Sequence, residues 1–170
     1  MGKSSLARAF LSRGTFSKDY RMTVGVDLLV ASVPLPDLKV VVELYLHDTG
    51  GLDVFREAAP KLLDGVGALM LVYDTTSMAS FDACTKWIEL VRAPPPTGAG
   101  AGGAGALPRV LVAAKTDLTD RPDLVPSDIA VSWAESHGLQ YIETSAATGR
   151  QVPNAFEILA RAVAAANGIN

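Results

Sequence analysis

The sequence contains a single cysteine and few charged residues, and both features limit the classes of function that the protein can have. A single cysteine, Cys84, excludes an internal disulfide and a metal site built from several cysteines. It is compatible with a reducing compartment, so we expect a cytoplasmic protein. Charged residues make up 19% of the chain, and the formal net charge is -3. Because nucleic-acid binders usually carry a basic stripe, we expect no nucleic-acid partner.

Membrane signals are also scarce. No apolar run approaches the ~20 residues that cross a bilayer as a helix. Residues 1–5 lead straight into an amphipathic stretch, which is not the pattern of a signal peptide. Residues 167–170 contain no cysteine for prenylation, so we expect no direct membrane anchor. Hydrophobic residues nevertheless make up 49% of the chain, which indicates a globular domain with a sizeable core.

Stretches typical of strands and of helices alternate along the chain. Apolar runs predict strands at 25–33, 40–46, 68–73, 110–114 and 141–143, the first two forming a hairpin. Apolar periodicity predicts helices at 6–11, 53–63, 80–91, 127–138 and 152–166, with Ser80 and Ser127 as N-caps. This order predicts an α/β fold in which a mainly parallel sheet carries helices on both faces. Residues 1–170 then form a single domain, with the Gly/Ala/Pro-rich residues 93–108 as a flexible insert.

Two short motifs suit phosphate and magnesium. Gly2-Lys3-Ser4 opens the first helix and matches the end of a phosphate loop, where the lysine reaches phosphates and the hydroxyl binds magnesium. A serine-capped helix start explains the same residues. Asp48-Thr49-Gly50-Gly51 follows a strand, where the carboxylate can hold a magnesium-bound water. A simple turn is one alternative. An aspartic protease is another, but it needs a second Asp-Thr/Ser-Gly sequence, and the chain has one copy.

Two further motifs suit a guanine base. Lys115-Thr116-Asp117 ends one predicted strand, and the carboxylate there can accept hydrogen bonds from both N1–H and N2–H₂ of guanine. Thr144-Ser145-Ala146 ends the next strand, where a backbone N–H can contact guanine O6. Lys115-Thr116-Asp117 alone is also explained as a solvated loop, and Thr144-Ser145-Ala146 alone is a common tripeptide. Together, however, the four motifs fall on one edge of one parallel sheet, where ligands of such sheets bind.

With these motifs in place, the sequence resembles the Ras superfamily over essentially its whole length. The resemblance implies a P-loop NTPase with a Ras-like sheet that binds GTP or GDP and Mg²⁺. Ser4 and Thr23, the latter in a Rab-like switch I segment, would bind the metal directly, and Asp48 would bind it through water. The residues that would contact the nucleotide are Gly2, Lys3, Ser4, Ser5, Phe16, Thr23, Gly51, Lys115, Asp117, Ser145 and Ala146.

One branch of the superfamily, the Rab-like GTPases of intraflagellar transport, fits better than the ordinary Rabs. The similar segments are 20–30, 33–37 and 42–46, together with Ser80-Phe81, Cys84 and Trp87. This resemblance implies a subunit of the intraflagellar transport B complex, located in the cilium or flagellum. Its partners would be a small β-sandwich subunit, with which it would form a heterodimer, and other complex B subunits.

Three positions depart from the family pattern. Leu52 stands where active enzymes keep the glutamine that orients water, so we expect no catalytic residue there and at most a slow GTPase. Ala114 replaces the asparagine of the guanine motif, and Ala147 replaces a lysine; both changes weaken the base site while Asp117 preserves guanine preference. Two alternatives therefore stay open: a Rab of vesicle traffic, and a pseudo-GTPase that binds partners without nucleotide turnover.

The first strand of this family and most of its phosphate loop are missing from the chain, which opens on the Gly-Lys-Ser end of that loop. Because that strand lies in the middle of the sheet, we expect its neighbours to be left unpaired. We also expect Met1 to be a wrong start, with an apolar strand and a glycine loop encoded upstream.

Overall fold

The computed structural model describes residues 1–12, 22–50, 65–92 and 107–169, with the backbone alone at 90–92. Strands and helices alternate along these residues as the sequence predicts. In chain order the elements are α1 (Lys3–Leu11), β1 (Val26–Leu35), β2 (Val40–Thr49), β3 (Leu69–Asp74), α2 (Met78–Arg92), β4 (Arg109–Ala114), α3 (Ser127–Ser136), β5 (Gln140–Glu143) and α4 (Val152–Ala166).

Strands β3, β4 and β5 form a parallel sheet in that order. Alternate residues of β4 enter two different cores, because successive side chains of a strand point to opposite faces. Val110 and Val112 pack with α1 and α4 on one face, whereas Leu111 and Ala113 pack with α2 and α3 on the other. The prediction of a parallel sheet that helices cover on both faces is confirmed.

Strands β1 and β2 form an antiparallel hairpin, paired from Val26 opposite Thr49 to Leu35 opposite Val40. Its inner face carries Ala31 and Val33, which are buried against the α1 and α4 side of the molecule. Among the described residues, the hairpin and the parallel sheet are two separate hydrogen-bonded sheets. The two sheets are therefore joined, in this part of the chain, by side chains of α1 and α4 and not by backbone hydrogen bonds between their strands.

The termini of several elements differ from the sequence predictions. Ser80 is not an N-cap: α2 begins at Met78, and the Ser80 hydroxyl accepts a hydrogen bond from Asp74 N (2.9 Å) and donates one to Ser77 O (2.7 Å). Ser127 is the first helical residue of α3 and makes no cap, because Pro126 holds that position. Strand β1 continues through Pro34 to Leu35, which a two-stranded hairpin tolerates because proline can occupy an edge.

The helix predicted at 53–63 and residues 93–106 of the insert lie outside the described residues. None of the helices in the described ranges combines the length and the apolar composition that crossing a membrane requires.

Candidate nucleotide and magnesium site

The start of α1 and the loops after β4 and β5 surround a cavity of about 210 Å³. These loops lie at the carboxyl edge of the parallel sheet, where the sequence predicted all four motifs. Residues of three motifs line the cavity, but the prediction is wrong for the fourth, because Asp48 belongs to the separate antiparallel hairpin. The residues lining the cavity are Gly2, Ser5, Leu6, Ala114, Lys115, Asp117, Leu118, Ala146 and Ala147. Two of the predicted phosphate residues, Gly2 and Ser5, and three of the predicted base residues are thus brought to one opening; Lys3, Ser4 and Ser145 are not part of its lining.

The carboxylate of Asp117 is fixed by the neighbouring loop. The buried Ser145 hydroxyl donates a hydrogen bond to Asp117 Oδ1 (2.5 Å) and accepts one from Thr148 N (3.1 Å). The backbone N–H of Ser145 is itself bonded to Arg150 O (3.0 Å). A carboxylate held in this way at a cavity wall has the acceptor character that the N1–H and N2–H₂ edge of guanine requires.

Lys115 has an unusual backbone, with a φ of 66° in the left-handed region. Its Nζ lies 2.5 Å from Asp74 Oδ2, and its carbonyl accepts a hydrogen bond from the Thr75 hydroxyl (3.3 Å). The preceding residue, Ala114, lies under α1: a Cβ built on Gly2 would stand 3.7 Å from the Ala114 Cβ. The methyl group at position 114 therefore packs against the start of α1 without any hydrogen bond to it.

The three residues predicted to hold the metal lie together. The hydroxyl oxygens of Ser4 and Thr23 are 2.8 Å apart, and the Thr23 hydroxyl donates to Asp48 Oδ2 at 3.4 Å. Asp48 is only 8% exposed, and its Oδ1 has no hydrogen-bond partner in the described part of the chain. A buried carboxylate oxygen without a partner, beside two hydroxyls, fits a hard cation with oxygen ligands.

Magnesium suits this set better than a cation that needs an all-protein cage. No group of three or more histidine, cysteine or acidic side chains clusters among the described residues. Mg²⁺ usually keeps several waters and is bound by one or two protein ligands plus the phosphates of a substrate. One carboxylate and two hydroxyls next to the start of α1, where the sequence predicts phosphate contacts, meet that description.

Lys3 is the first residue of α1 and is half-buried. Burial lowers the pKa of its ammonium group, whereas the nearby Asp48 carboxylate and Cys84 work in the opposite direction. The N-terminus of a helix also presents free N–H groups and a partial positive charge. Position 3 therefore offers an anion both a side-chain cation and backbone donors.

A backbone hydrogen bond of Gly50 joins the two segments that carry Thr23 and Asp48. Its N–H donates to the Gly25 carbonyl at 2.7 Å, so the start of β1 and the end of β2 are tied together beside Thr23 and Asp48. The predicted contacts Phe16 and Gly51, as well as Leu52, lie outside the described residues.

Sequence reasoning missed Asp74. This residue ends β3 at the same sheet edge and is 7% exposed, yet it belongs to none of the four motifs. The available signal was an acidic residue directly after the predicted strand 68–73, close to a strand end as the predicted Asp48 and Asp117 also are.

A parallel sheet with helices on both faces and these loops at one edge is the architecture of the P-loop GTPases. The family model described as the Ras family matches residues 1–165. The chain therefore belongs to the Ras family of small GTPases.

Several curated proteins are similar to this chain. Intraflagellar transport protein 27 homolog of Mus musculus is 44% identical over 146 residues, covering 85% of this chain and 74% of that protein. Intraflagellar transport protein 27 of Chlamydomonas reinhardtii is 42% identical over 147 residues, covering 86% and 70%. The Ypt/Rab-type GTPase ypt7 of Schizosaccharomyces pombe is 31% identical over 164 residues, covering 95% and 76%. The chain is thus Rab-like, and the intraflagellar transport proteins are more similar to it than this Rab.

Proposed function

We propose that the chain binds GTP and GDP together with Mg²⁺ at the sheet edge described above. The observation that carries this proposal is the contact of Ser4, Thr23 and the partly unpartnered Asp48 next to the start of α1. Ser4 and Thr23 would bind the metal directly, and Asp48 through water. Phosphates would lie on Gly2, Lys3, Ser4, Ser5 and Gly51, and the base on Phe16, Lys115, Asp117, Ser145 and Ala146.

The base site is tested by comparing two carboxylates of one loop. We expect Asp117→Ala to weaken GDP binding about a hundredfold, since two hydrogen bonds to a charged acceptor contribute about 1.5 kcal/mol each. Asp120→Ala removes an exposed carboxylate three residues away and should leave the affinity unchanged. Titration with a fluorescent GDP analogue measures both. Equal affinities of the two variants would contradict this assignment.

We further propose that GTP hydrolysis is very slow, because Leu52 has no hydrogen-bonding group to orient an attacking water. Single-turnover assays with radiolabelled GTP should show almost no cleavage by the unmodified chain and faster cleavage by Leu52→Gln. Ras-like cleavage with leucine in place would refute the proposal. Bound nucleotide with no cleavage in either variant would favour a GTP-holding subunit, and no bound nucleotide would favour the pseudo-GTPase.

The names of the similar proteins support a place in intraflagellar transport. In this proposal the chain is a subunit of complex B in the cilium or flagellum and forms a heterodimer with a small β-sandwich subunit. Co-expression with that subunit, followed by size-exclusion chromatography, tests the pairing. A stable 1:1 complex supports it. The likeness of the chain to a Ypt/Rab-type GTPase supports an alternative, a Rab of vesicle traffic. A failure to pair, combined with recruitment to vesicles in cells, would favour that alternative.

A further inference from the structure

Asp74 lies at the end of β3, directly behind the lysine of the base site. We propose that Asp74 is a positioning residue for the guanine pocket: its carboxylate fixes Lys115 so that the lysine stem forms a wall of the cavity. This inference rests on the proposed function, since it assumes that the cavity receives a guanine nucleotide.

The Asp74 carboxylate is a rigid anchor because both of its oxygens are engaged. Oδ1 accepts hydrogen bonds from the backbone N–H and the hydroxyl of Thr76, at 3.0 and 2.7 Å. Oδ2 is left for Lys115 Nζ, at 2.5 Å. Burial of Asp74 raises the pKa of its carboxyl group, but the hydrogen bonds from Lys115 and Thr76 outweigh burial, so its pKa lies below the ordinary value. The anchor is therefore an anion at neutral pH.

Lys115 needs such an anchor. Its side chain is 43% exposed, and a lysine on a flexible four-carbon stem loses rotamer entropy when it is confined. Without a partner, the ammonium group would move among solvated positions. With Nζ bound to Asp74, Lys115 still lines the cavity. The bound nucleotide then meets a wall that is already ordered.

The backbone around Lys115 is fixed by the same strand end. Thr75 N donates to Ala114 O (3.0 Å), and the Thr75 hydroxyl donates to Lys115 O (3.3 Å). On the other side, Thr116 N and its hydroxyl both donate to Thr144 O, at 3.2 and 3.0 Å. Ala114 cannot supply a side-chain hydrogen bond. The end of β3 thus supplies the fixing contacts on one side of the base loop.

The opposite effect is also physically possible, because Asp74 could draw the ammonium group away from the nucleotide. The two effects differ in sign. If Asp74 positions Lys115, removal of its charge speeds nucleotide release. If Asp74 competes with the nucleotide for Lys115, removal of its charge slows release.

The test measures the release rate of a fluorescent GDP analogue from the full chain with Mg²⁺ present. We expect Asp74→Asn to speed release about tenfold, the low end of the effect of losing one charge-assisted hydrogen bond. Asp74→Glu, which keeps the charge, should restore most of the slow release. Asp37→Asn is the matched control, because it breaks the exposed ion pair with Arg161 (2.7 Å), which lies outside the cavity lining.

A double-mutant comparison separates positioning from general destabilisation. In a Lys115→Ala background, Asp74→Asn should change the release rate no further, because the group it positions is gone. An equal effect in both backgrounds, an unchanged rate or a slower rate would each overturn the inference. If Asp74→Asn does not fold, Thr76→Val carries the same test, since it removes the hydroxyl that holds Oδ1. A chain that binds no nucleotide at all refutes the proposed function instead.

Discussion

Cys84 is the one thiol of the chain, and burial between α2 and the parallel sheet controls its chemistry. It is 3% exposed, and its Sγ donates to Ser80 O at 3.6 Å. Burial raises the pKa of the thiol to about 12 from an ordinary 9.0, although the cation of Lys3 opposes the shift. The raised pKa adds stability that is complete below pH 9 and is lost as the pH rises toward 12.

We therefore expect Cys84 to be nearly inert in the folded protein. At pH 8 the folded state should hold about a thousandfold less thiolate than the unfolded state, and thiolate is the reactive form. Reaction with a disulfide reagent, followed by absorbance, should be far slower in buffer than in urea. Because the chain has one cysteine, the signal comes from this residue alone. Equal rates in buffer and in urea would show that the thiol is accessible.

At the residue scale, the sequence predicted which side chains share an edge better than it predicted how each is held. The proximity of Ser4, Thr23 and Asp48 followed from the resemblance to the Ras superfamily, which implied that all three hold one metal ion. The partner of Lys115 did not, because it depends on the left-handed backbone at that residue and on the register of β3 against β4. Ser80 was expected to cap a helix, yet its hydroxyl binds the end of β3 instead.

At the scale of elements, α4 joins the two sheets. Its buried Phe156 is 2% exposed and stacks on Phe10 of α1, with ring centroids 4.2 Å apart. Its Arg161 reaches the hairpin turn and holds both oxygens of Asp37, at 2.7 and 2.9 Å. Helix α4 is therefore held to α1 by an apolar contact and to the hairpin turn by an ion pair.

Removing the apolar contact should cost more stability than removing a half-buried side chain of the same helix. We expect Phe156→Ala to lower the free energy of unfolding by about 3–5 kcal/mol, the usual cost of deleting a buried aromatic ring. Ile158→Ala is the control and should cost distinctly less, because Ile158 is only partly buried. Urea unfolding followed by circular dichroism compares the two. Equal losses would mean that the Phe10–Phe156 stack contributes little to the free energy of unfolding.

The bounds of α4 were predicted fully because a strong apolar stripe runs from Val152 to Ala166. The hairpin strands were predicted too short, since Pro34 and Asp48 resemble strand ends in sequence. In the structure each remains within a strand. A two-stranded ladder tolerates proline because both of its strands are edges, and the buried Asp48 carboxylate accepts a hydrogen bond from the Thr23 hydroxyl. Tertiary contacts, which a local pattern does not contain, decide these ends.

At the scale of the whole molecule, the candidate site bridges the two sheets. Asp48 belongs to the hairpin, and Thr23 lies three residues before the hairpin begins, whereas Lys115 and Asp117 follow β4 of the parallel sheet. Ser4 of α1 lies between them and contacts Thr23. A nucleotide with its metal would therefore add contacts across a junction that, in the described residues, no backbone ladder spans.

This arrangement predicts that Mg²⁺ and GDP stabilise the fold together. At a ligand concentration about 100 times its dissociation constant, binding should add about 2.7 kcal/mol to the free energy of unfolding. Thermal unfolding should therefore shift upward with GDP and Mg²⁺, and much less with GDP and a chelator, because Asp48 Oδ1 would again lack a partner.

Asp48→Asn should abolish the magnesium-dependent part of the shift. Glu43→Gln removes an exposed charge from the same strand and should preserve it. A magnesium effect that survives Asp48→Asn would place the metal elsewhere, and no effect of GDP on the unmodified chain would contradict the proposed nucleotide binding.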